Sequence, residues 1–244
     1  MNEKMIQILR SRFFAEAKKA AAEGGVEDSV FCVMEAIKDA GFRCKKKVSH
    51  RSLFLGGYAR VGKSQLAQVL CDEYGYMHLE ADVLRQFFWA LEDNERRRQI
   101  RKKMYKEIAE SYPSGIVLEG DDFISENRHP KKPLTPFSIE LLAELTRQYS
   151  LVGAIVGNSV CSSTEKYRAL IEWRNKGNCW TSERISSSTL LGFAEQTILA
   201  SIDLKEKAIR SNIAYLEIDP ISFHKDIRNA SKTIGEGFAF SVLD

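Results

Sequence analysis

Residues 52–65, Ser-Leu-Phe-Leu-Gly-Gly-Tyr-Ala-Arg-Val-Gly-Lys-Ser-Gln, constrain the fold more than any other stretch of the chain. Gly57, four further residues and Gly62-Lys63-Ser64 fit the pattern G-x-x-x-x-G-K-[ST]. An apolar run, Leu53-Phe54-Leu55, leads into the pattern, and a helix-like segment, Gln65–Tyr74, leaves it. Glycines let a backbone turn its N–H groups inward around an anion. The helix N-terminus that follows adds partial positive charge. Strand, loop and helix in this order are the context a phosphate-binding loop requires. The reading expects Gly57, Tyr58, Ala59, Arg60, Val61, Gly62, Lys63, Ser64 and Gln65 to cradle a nucleoside triphosphate. Within it, Lys63 reaches the β- and γ-phosphates and Ser64 ligates Mg²⁺.

A chain of 244 residues can hold one α/β domain plus an appendage. The net charge of +3 is too small to imply a nucleic-acid partner. Cys32, Cys44, Cys71, Cys161 and Cys179 show no metal-ligand spacing, and an odd, scattered set fits reduced thiols in a cytoplasmic setting. No uninterrupted apolar stretch follows Asn2-Glu3-Lys4, so no secretory signal is expected. The apolar run Leu151–Val156 is far too short to cross a bilayer, so no membrane partner is expected either.

Residues 1–22 read as one helix, with Met5, Leu9 and Phe13 at i, i+4, i+8, stopped by Gly24-Gly25. A second helix from Asp28 or Ser29 ends at Gly41. Arg43, Lys45, Lys46, Lys47 and Arg51 then form a basic linker. Residues 1–50 are thus expected to be an N-terminal helical extension that packs against a domain spanning 51–244, or else dimerises or binds a partner.

After the loop helix come a strand ending at Asp82, a long helix over Val83–Ser111 and the strand Ile116–Gly120. The basic run Glu95–Lys103 reads as a solvated helix face rather than a phosphate-binding surface. Residues Asn127–Phe137, with three prolines, read as an irregular loop. Helix Ile139–Tyr149, strand Leu151–Val156, helices Thr164–Lys176 and Thr189–Arg210, strand Ile213–Ile218 and helix Phe223–Ile234 complete the pattern. Five β-α units imply a parallel sheet with right-handed crossovers and helices on both faces, a three-layer αβα fold. Ligands of such sheets bind beyond the carboxyl ends of the strands. The loop 57–64, Asp82, Glu119, Asp121 and Asn158 all stand at such ends.

Phosphoryl transfer needs a phosphate cradle, Mg²⁺, an in-line nucleophile and positive charge over the transferred group. Asp82 is a candidate general base, and Arg85, one turn on, a bidentate clamp for an anionic acceptor. The structural alternative is a helix-capping Asp82 with Arg85 in a surface pair. Glu119 stands where an acid would bind Mg²⁺ through water or orient the nucleophile; Asp121 is a further candidate to face substrate. Arg168, Arg174, Lys176 and Arg184 flank a Gly177-Asn178 break. A basic flap there, over about 160–188, closes over the phosphates with Arg174 as its charge-stabilising residue, or else complements its own helix dipole.

Residues 52–230 resemble the P-loop small-molecule kinases, the adenylate, gluconate, shikimate and zeta-toxin kinase group. The likeness rests on Gly57–Ser64, on His78-Leu79-Glu80-Ala81-Asp82-Val83-Leu84-Arg85, on Ile116-Val117-Leu118-Glu119-Gly120, on Arg174-Asn175-Lys176-Gly177 and on Tyr215-Leu216-Glu217-Ile218-Asp219. It implies a five-stranded sheet in order 2-3-1-4-5, ATP with Mg²⁺, and γ-phosphoryl transfer to a small hydroxyl-bearing, anionic acceptor such as a metabolite, nucleotide or nucleotide sugar. It also implies Asp82 as the acceptor-side carboxylate, Arg85 as its partner and Arg174 as the lid arginine. Tyr58 and Arg60 depart from the small residues and proline usual in these loops, no second Asp follows Asp82 by two positions, and residues 1–50 lie outside the likeness. Phe87, Phe88 and Trp89 fit core packing better than an aromatic wall. The competing readings are an NTP-driven ATPase or switch without an acceptor, and a polynucleotide 5′-kinase using the 96–103 and 128–132 basic clusters.

Overall fold

The computed structural model describes residues 3–42, 50–124, 139–175 and 186–236. The linker residues Arg43, Lys45, Lys46 and Lys47, the loop 127–137 and the flap segment holding Lys176, Gly177-Asn178 and Arg184 lie outside the described residues.

Five strands, β1 (Ser52–Gly57), β2 (Met77–Glu80), β3 (Ile116–Glu119), β4 (Leu151–Gly157) and β5 (Ala214–Glu217), form one sheet in the order β2-β3-β1-β4-β5. Every pairing is parallel. Strands covered on both faces need apolar residues at every position rather than at alternate ones. Accordingly Leu53-Phe54-Leu55 and Ile116-Val117-Leu118 are all fully buried. The fold class and strand order are those expected from the sequence.

The helices α1 (Glu3–Arg10), α2 (Arg12–Glu23) and α3 (Val26–Asp39) precede the sheet. The single N-terminal helix expected over 1–22 is broken at Ser11, whose hydroxyl accepts from the amide of Phe13 at 3.3 Å and so opens a second helix. Helix α3 starts at Val26, two residues before the expected start, because Gly24, left-handed at φ 97°, already ends α2 and Gly25 leads directly into α3.

The expected long helix over 83–111 is three pieces: α5 (Ala81–Arg85), a 3-10 turn over Gln86–Phe88 and α6 (Asn94–Ser111). Asp93 starts α6, its side chain accepting from the amide of Arg96 at 2.9 Å. Phe87 and Phe88 sit in the core and Trp89 outside it. The strand-end position expected for Asp82 is also corrected. Strand β2 stops at Glu80, and Asp82 occupies the first turn of α5. An acid there complements the helix dipole.

Helices α4 (Lys63–Tyr74), α7 (Ile139–Gln148), α8 (Ser163–Asn175), α9 (Ser187–Arg210) and α10 (Phe223–Gly235) complete the flanking layers. The N-terminal helices share one continuous core with the sheet: Met5, Ile8, Val33 and Ile37 belong to the same buried cluster as Leu53 and Phe54. Phe14 of α2 meets Phe87 edge-on at 4.7 Å. The basic face of α6 is largely committed to ion pairs. Lys103 lies 3.2 Å from Glu27 of α3, and Lys102 and Lys106 both reach Glu144 of α7. Among the described residues no helix is long and apolar enough to cross a membrane.

If the N-terminal helices belong to this core, Ile37→Ala must cost about 2–5 kcal/mol of unfolding free energy. Urea denaturation measures it, and a loss well below 1 kcal/mol would mean that α3 packs only loosely.

Candidate functional site

Strand β1 ends in a turn that only glycine can open. Gly57 has φ 147°, and a Cβ there would lie 2.3 Å from the carbonyl oxygen of Val156. Gly62, at φ 107°, hands the chain into α4. Between them Val61 is buried, and Tyr58 turns its ring inward, 5.8 Å from that of Phe193 on α9. Tyr58 is therefore a packing residue whose backbone, not its ring, belongs to the loop. Ala59 is half-buried, while Ser64 and Gln65 are exposed at the start of α4. Arg60 adopts φ 63°, a left-handed conformation unusual for a side-chain-bearing residue.

Lys63 is buried along its length, and its Nζ donates to the carbonyls of Gly57 at 3.0 Å and Tyr58 at 2.8 Å. Its charge is thus held inside the curve of the loop. Ser64 Oγ donates to Glu119 Oε1 at 2.9 Å, joining α4 to the end of β3. His78 Nε2 lies 3.5 Å from the same oxygen, an electrostatic contact rather than a formed hydrogen bond. Burial alone would raise the Glu119 carboxyl. The neighbouring His78, Lys63 and Ser64 outweigh it and hold the group below the usual carboxylate range. An ionised carboxylate beside a serine hydroxyl offers the hard oxygen donors that Mg²⁺ takes, an ion that keeps most of its shell as water and phosphate oxygen. No group of three His, Cys, Asp or Glu side chains that could cage a metal occurs among the described residues.

Arg85 and Asp82 are adjacent, as expected, but the guanidinium is committed within the protein. Its Nη1 lies 2.5 Å from Asp121 and 2.9 Å from Asp122, and its Nη2 pairs with Asp82. Burial opposes the charge, yet Asp122 and Asp121 prevail and raise its pKa. Asp122 is itself fully enclosed, paired also with Arg101 and accepting from the Tyr105 hydroxyl. The arrangement makes Arg85 and Asp121 members of a buried charge network. The guanidinium expected to clamp an anion is thus engaged by these three carboxylates. Asp82, with its side chain 68% exposed, keeps an oxygen edge toward solvent.

A cavity of about 400 Å³ opens beside Asp82, lined by Leu9, Phe14, Glu80, Asp82, Val83 and Gln86. Its apolar wall combines Val83 of α5 with Leu9 and Phe14 of α1 and α2, the segment outside the kinase likeness. Glu80 pairs in register with Glu119, one strand nearer to the loop. A parallel sheet spaces its strands by about 4.8 Å, so the cavity stands about two strand widths from the end of β1. Arg174 lies in the last turn of α8, half-buried.

Two residues were not singled out from the sequence. His78 shares its strand face with Glu80, two positions on, and that alternation could have placed it beside Glu119. Lys166 lies within the basic helix but on its apolar stripe, at i, i+4 and i+7 with Leu170 and Trp173. It is completely buried, and its Nζ donates to the carbonyl of Arg60 at 2.6 Å. Burial, with Arg60 and Lys63 nearby, brings its pKa down to about 7.

Neither a family model nor a curated protein matches the chain.

The Lys166 amine gives a signed prediction. A lysine held near 7 in the folded state and at its ordinary value when unfolded binds more protons unfolded. Stability therefore rises with pH from about 7 toward 8.5, by up to about 1.4 kcal/mol per pH unit from this group. Lys166→Met must flatten that slope; denaturant titrations of both proteins across this range measure it. Separately, Asp122→Asn leaves Arg85 and Arg101 under-compensated and should cost about 3–5 kcal/mol, also read by denaturation.

Proposed function

We propose that the protein is an ATP- and Mg²⁺-dependent phosphotransferase acting on a hydroxyl of a small molecule. The observation that carries this reading is the joining of Ser64 to the ionised Glu119 beside Lys63, at the mouth of a glycine-opened loop. In this reading the amides of 57–65 and Lys63 bind the β- and γ-phosphates, and Ser64 with Glu119 holds Mg²⁺. The metal supplies neutralisation of charge on the transferred group when bound. Asp82 accepts the proton of the acceptor hydroxyl from the rim of the cavity, and Arg85 holds the Asp82 carboxylate in place. The acceptor lies against Leu9 and Phe14, with Glu80, Asp82 and Gln86 as its polar contacts. Among the described residues no cation lines this cavity, and Arg85 is taken by three carboxylates. A neutral or cationic hydroxyl compound fits these walls better than the anionic acceptor expected from the sequence. Arg174 supplies charge over the transferred group from the end of α8.

A nucleotide hydrolase or switch without an acceptor is the second reading, favoured by the engagement of Arg85 within the protein. Incubation with γ-labelled ATP, Mg²⁺ and a metabolite extract separates the two. Label in an organic product supports the kinase; label only in free phosphate supports the hydrolase. Lys63→Ala should lower the labelling rate by about 10²–10³-fold with the fold intact by circular dichroism. Turnover at the wild-type rate in that variant removes the loop mechanism. Asp82→Asn should lower kcat with little change in ATP affinity, and an unchanged kcat removes the base assignment.

A further inference from the structure

Lys166 is the one charged side chain with zero exposure among the described residues. Its surroundings do not explain it as a structural ion. Its ammonium meets the Arg60 carbonyl at 2.6 Å and the ring of Trp173 at 5.2 Å, and no carboxylate among the described residues pairs with it. An ammonium taken out of water without a counter-charge is strongly disfavoured, and an apolar side chain of similar length would fill the same space without that penalty. The other buried cations stand differently. Arg101 is paired with Asp122, and Lys63 lies inside the loop on two carbonyls.

We propose that Lys166 is a positioning residue of the phosphate loop: it holds the Arg60 carbonyl in its left-handed turn, and the counter-charge it lacks among the described residues is the polyphosphate bound across that turn. This rests on the reading of 57–65 as a nucleotide site. The mechanism follows from the geometry of one peptide unit. In a planar trans peptide the C=O of Arg60 and the N–H of Val61 point in opposite directions. Fixing the carbonyl onto Lys166 therefore fixes the Val61 N–H facing away from it, toward the other side of the loop. It also explains how Arg60 keeps φ 63° without being glycine: a conformation strained for a side-chain-bearing residue persists where a buried partner holds it.

The groups facing the amine are few. Arg60 and Lys63 approach from the loop and α4, and Cys161 from the turn before α8. The Cys161 thiol is pushed up to about 11, mainly by burial, with Asp219, Glu165 and Glu217 around it, so it is uncharged near neutrality. Helix α9 meets α8 through Leu170, Leu190 and Ala194, and α10 contributes Phe223 against Trp173. Among the described residues the groups that act on Lys166 directly are thus positive or neutral, and the carboxylates of Asp219, Glu165 and Glu217 gather around Cys161 instead. A polyphosphate in the loop brings the missing negative charge and favours the ammonium form. Nucleotide binding then takes up a proton above neutral pH.

Calorimetric titration of the full chain with ATP and Mg²⁺ at about pH 8, in buffers of different ionisation heat, reads this directly. The expected result is uptake of about 0.5–1 proton per ATP, with Kd weakening by up to about tenfold per pH unit above 7. Lys166→Met should bind ATP more weakly, with no proton uptake and a flat pH profile. Lys166→Arg restores a charge that does not titrate, so it should recover affinity without uptake; it also serves if Lys166→Met fails to fold. Uptake at the wild-type level in either variant overturns the proposal, as does ATP binding by the wild type with no uptake. In both cases the nucleotide site itself survives. If neither ATP, GTP nor tripolyphosphate gives binding heat with the folded wild type, the nucleotide reading and this proposal fall together.

Discussion

All four ladders of the sheet are parallel, and parallel pairing fixes where chemistry can occur. It sends every carboxyl-terminal strand end to one edge and requires a crossover after each strand. With β1 in the middle, its end is flanked by the ends of β3 and β4. That arrangement lets Ser64, just beyond β1, reach Glu119 at the end of β3. It also lets Gly57 lean on the carbonyl of Val156 in β4, too close for any side chain. The loop is shaped as much by its neighbours in the sheet as by its own glycines.

A second organising element is electrostatic. Asp122, one turn past β3, gathers Arg85 from α5 and both Arg101 and Tyr105 from α6. Removing any one member would leave a buried charge under-compensated, so these residues depend on one another's positions. The network ties the segment after β2 to the end of β3 and leaves Asp82 at its exposed margin. Rigidity at that margin, rather than a free cation, is what Arg85 contributes.

The sheet was legible because each buried strand is a continuous apolar run bounded by breakers, a signal local in sequence. The loop was legible because glycine spacing and a following helix encode a backbone shape. Helix junctions were less so. Ser11 and Asp93 end and restart helices by single side-chain hydrogen bonds, which periodicity over a window does not register. The fate of Arg85 was not legible either, since its partners Asp121 and Asp122 lie 36 and 37 positions away and meet it only through β2–β3 pairing. Lys166 was hidden for the opposite reason: a lysine in a basic helix looks solvated unless its place on the apolar stripe is weighed above its charge.

The packing of α1–α3 also bears on how the chain acquires its shape during synthesis. Arg96 of α6 donates to the carbonyl of Ala21, 75 positions earlier, and Phe14 waits for Phe87. A ribosome adds about 5–20 residues per second, so the apolar faces of the first helices stay uncovered for several seconds before α6 emerges. During that interval the apolar faces of α1–α3 are open to whatever shields apolar helices in the cell.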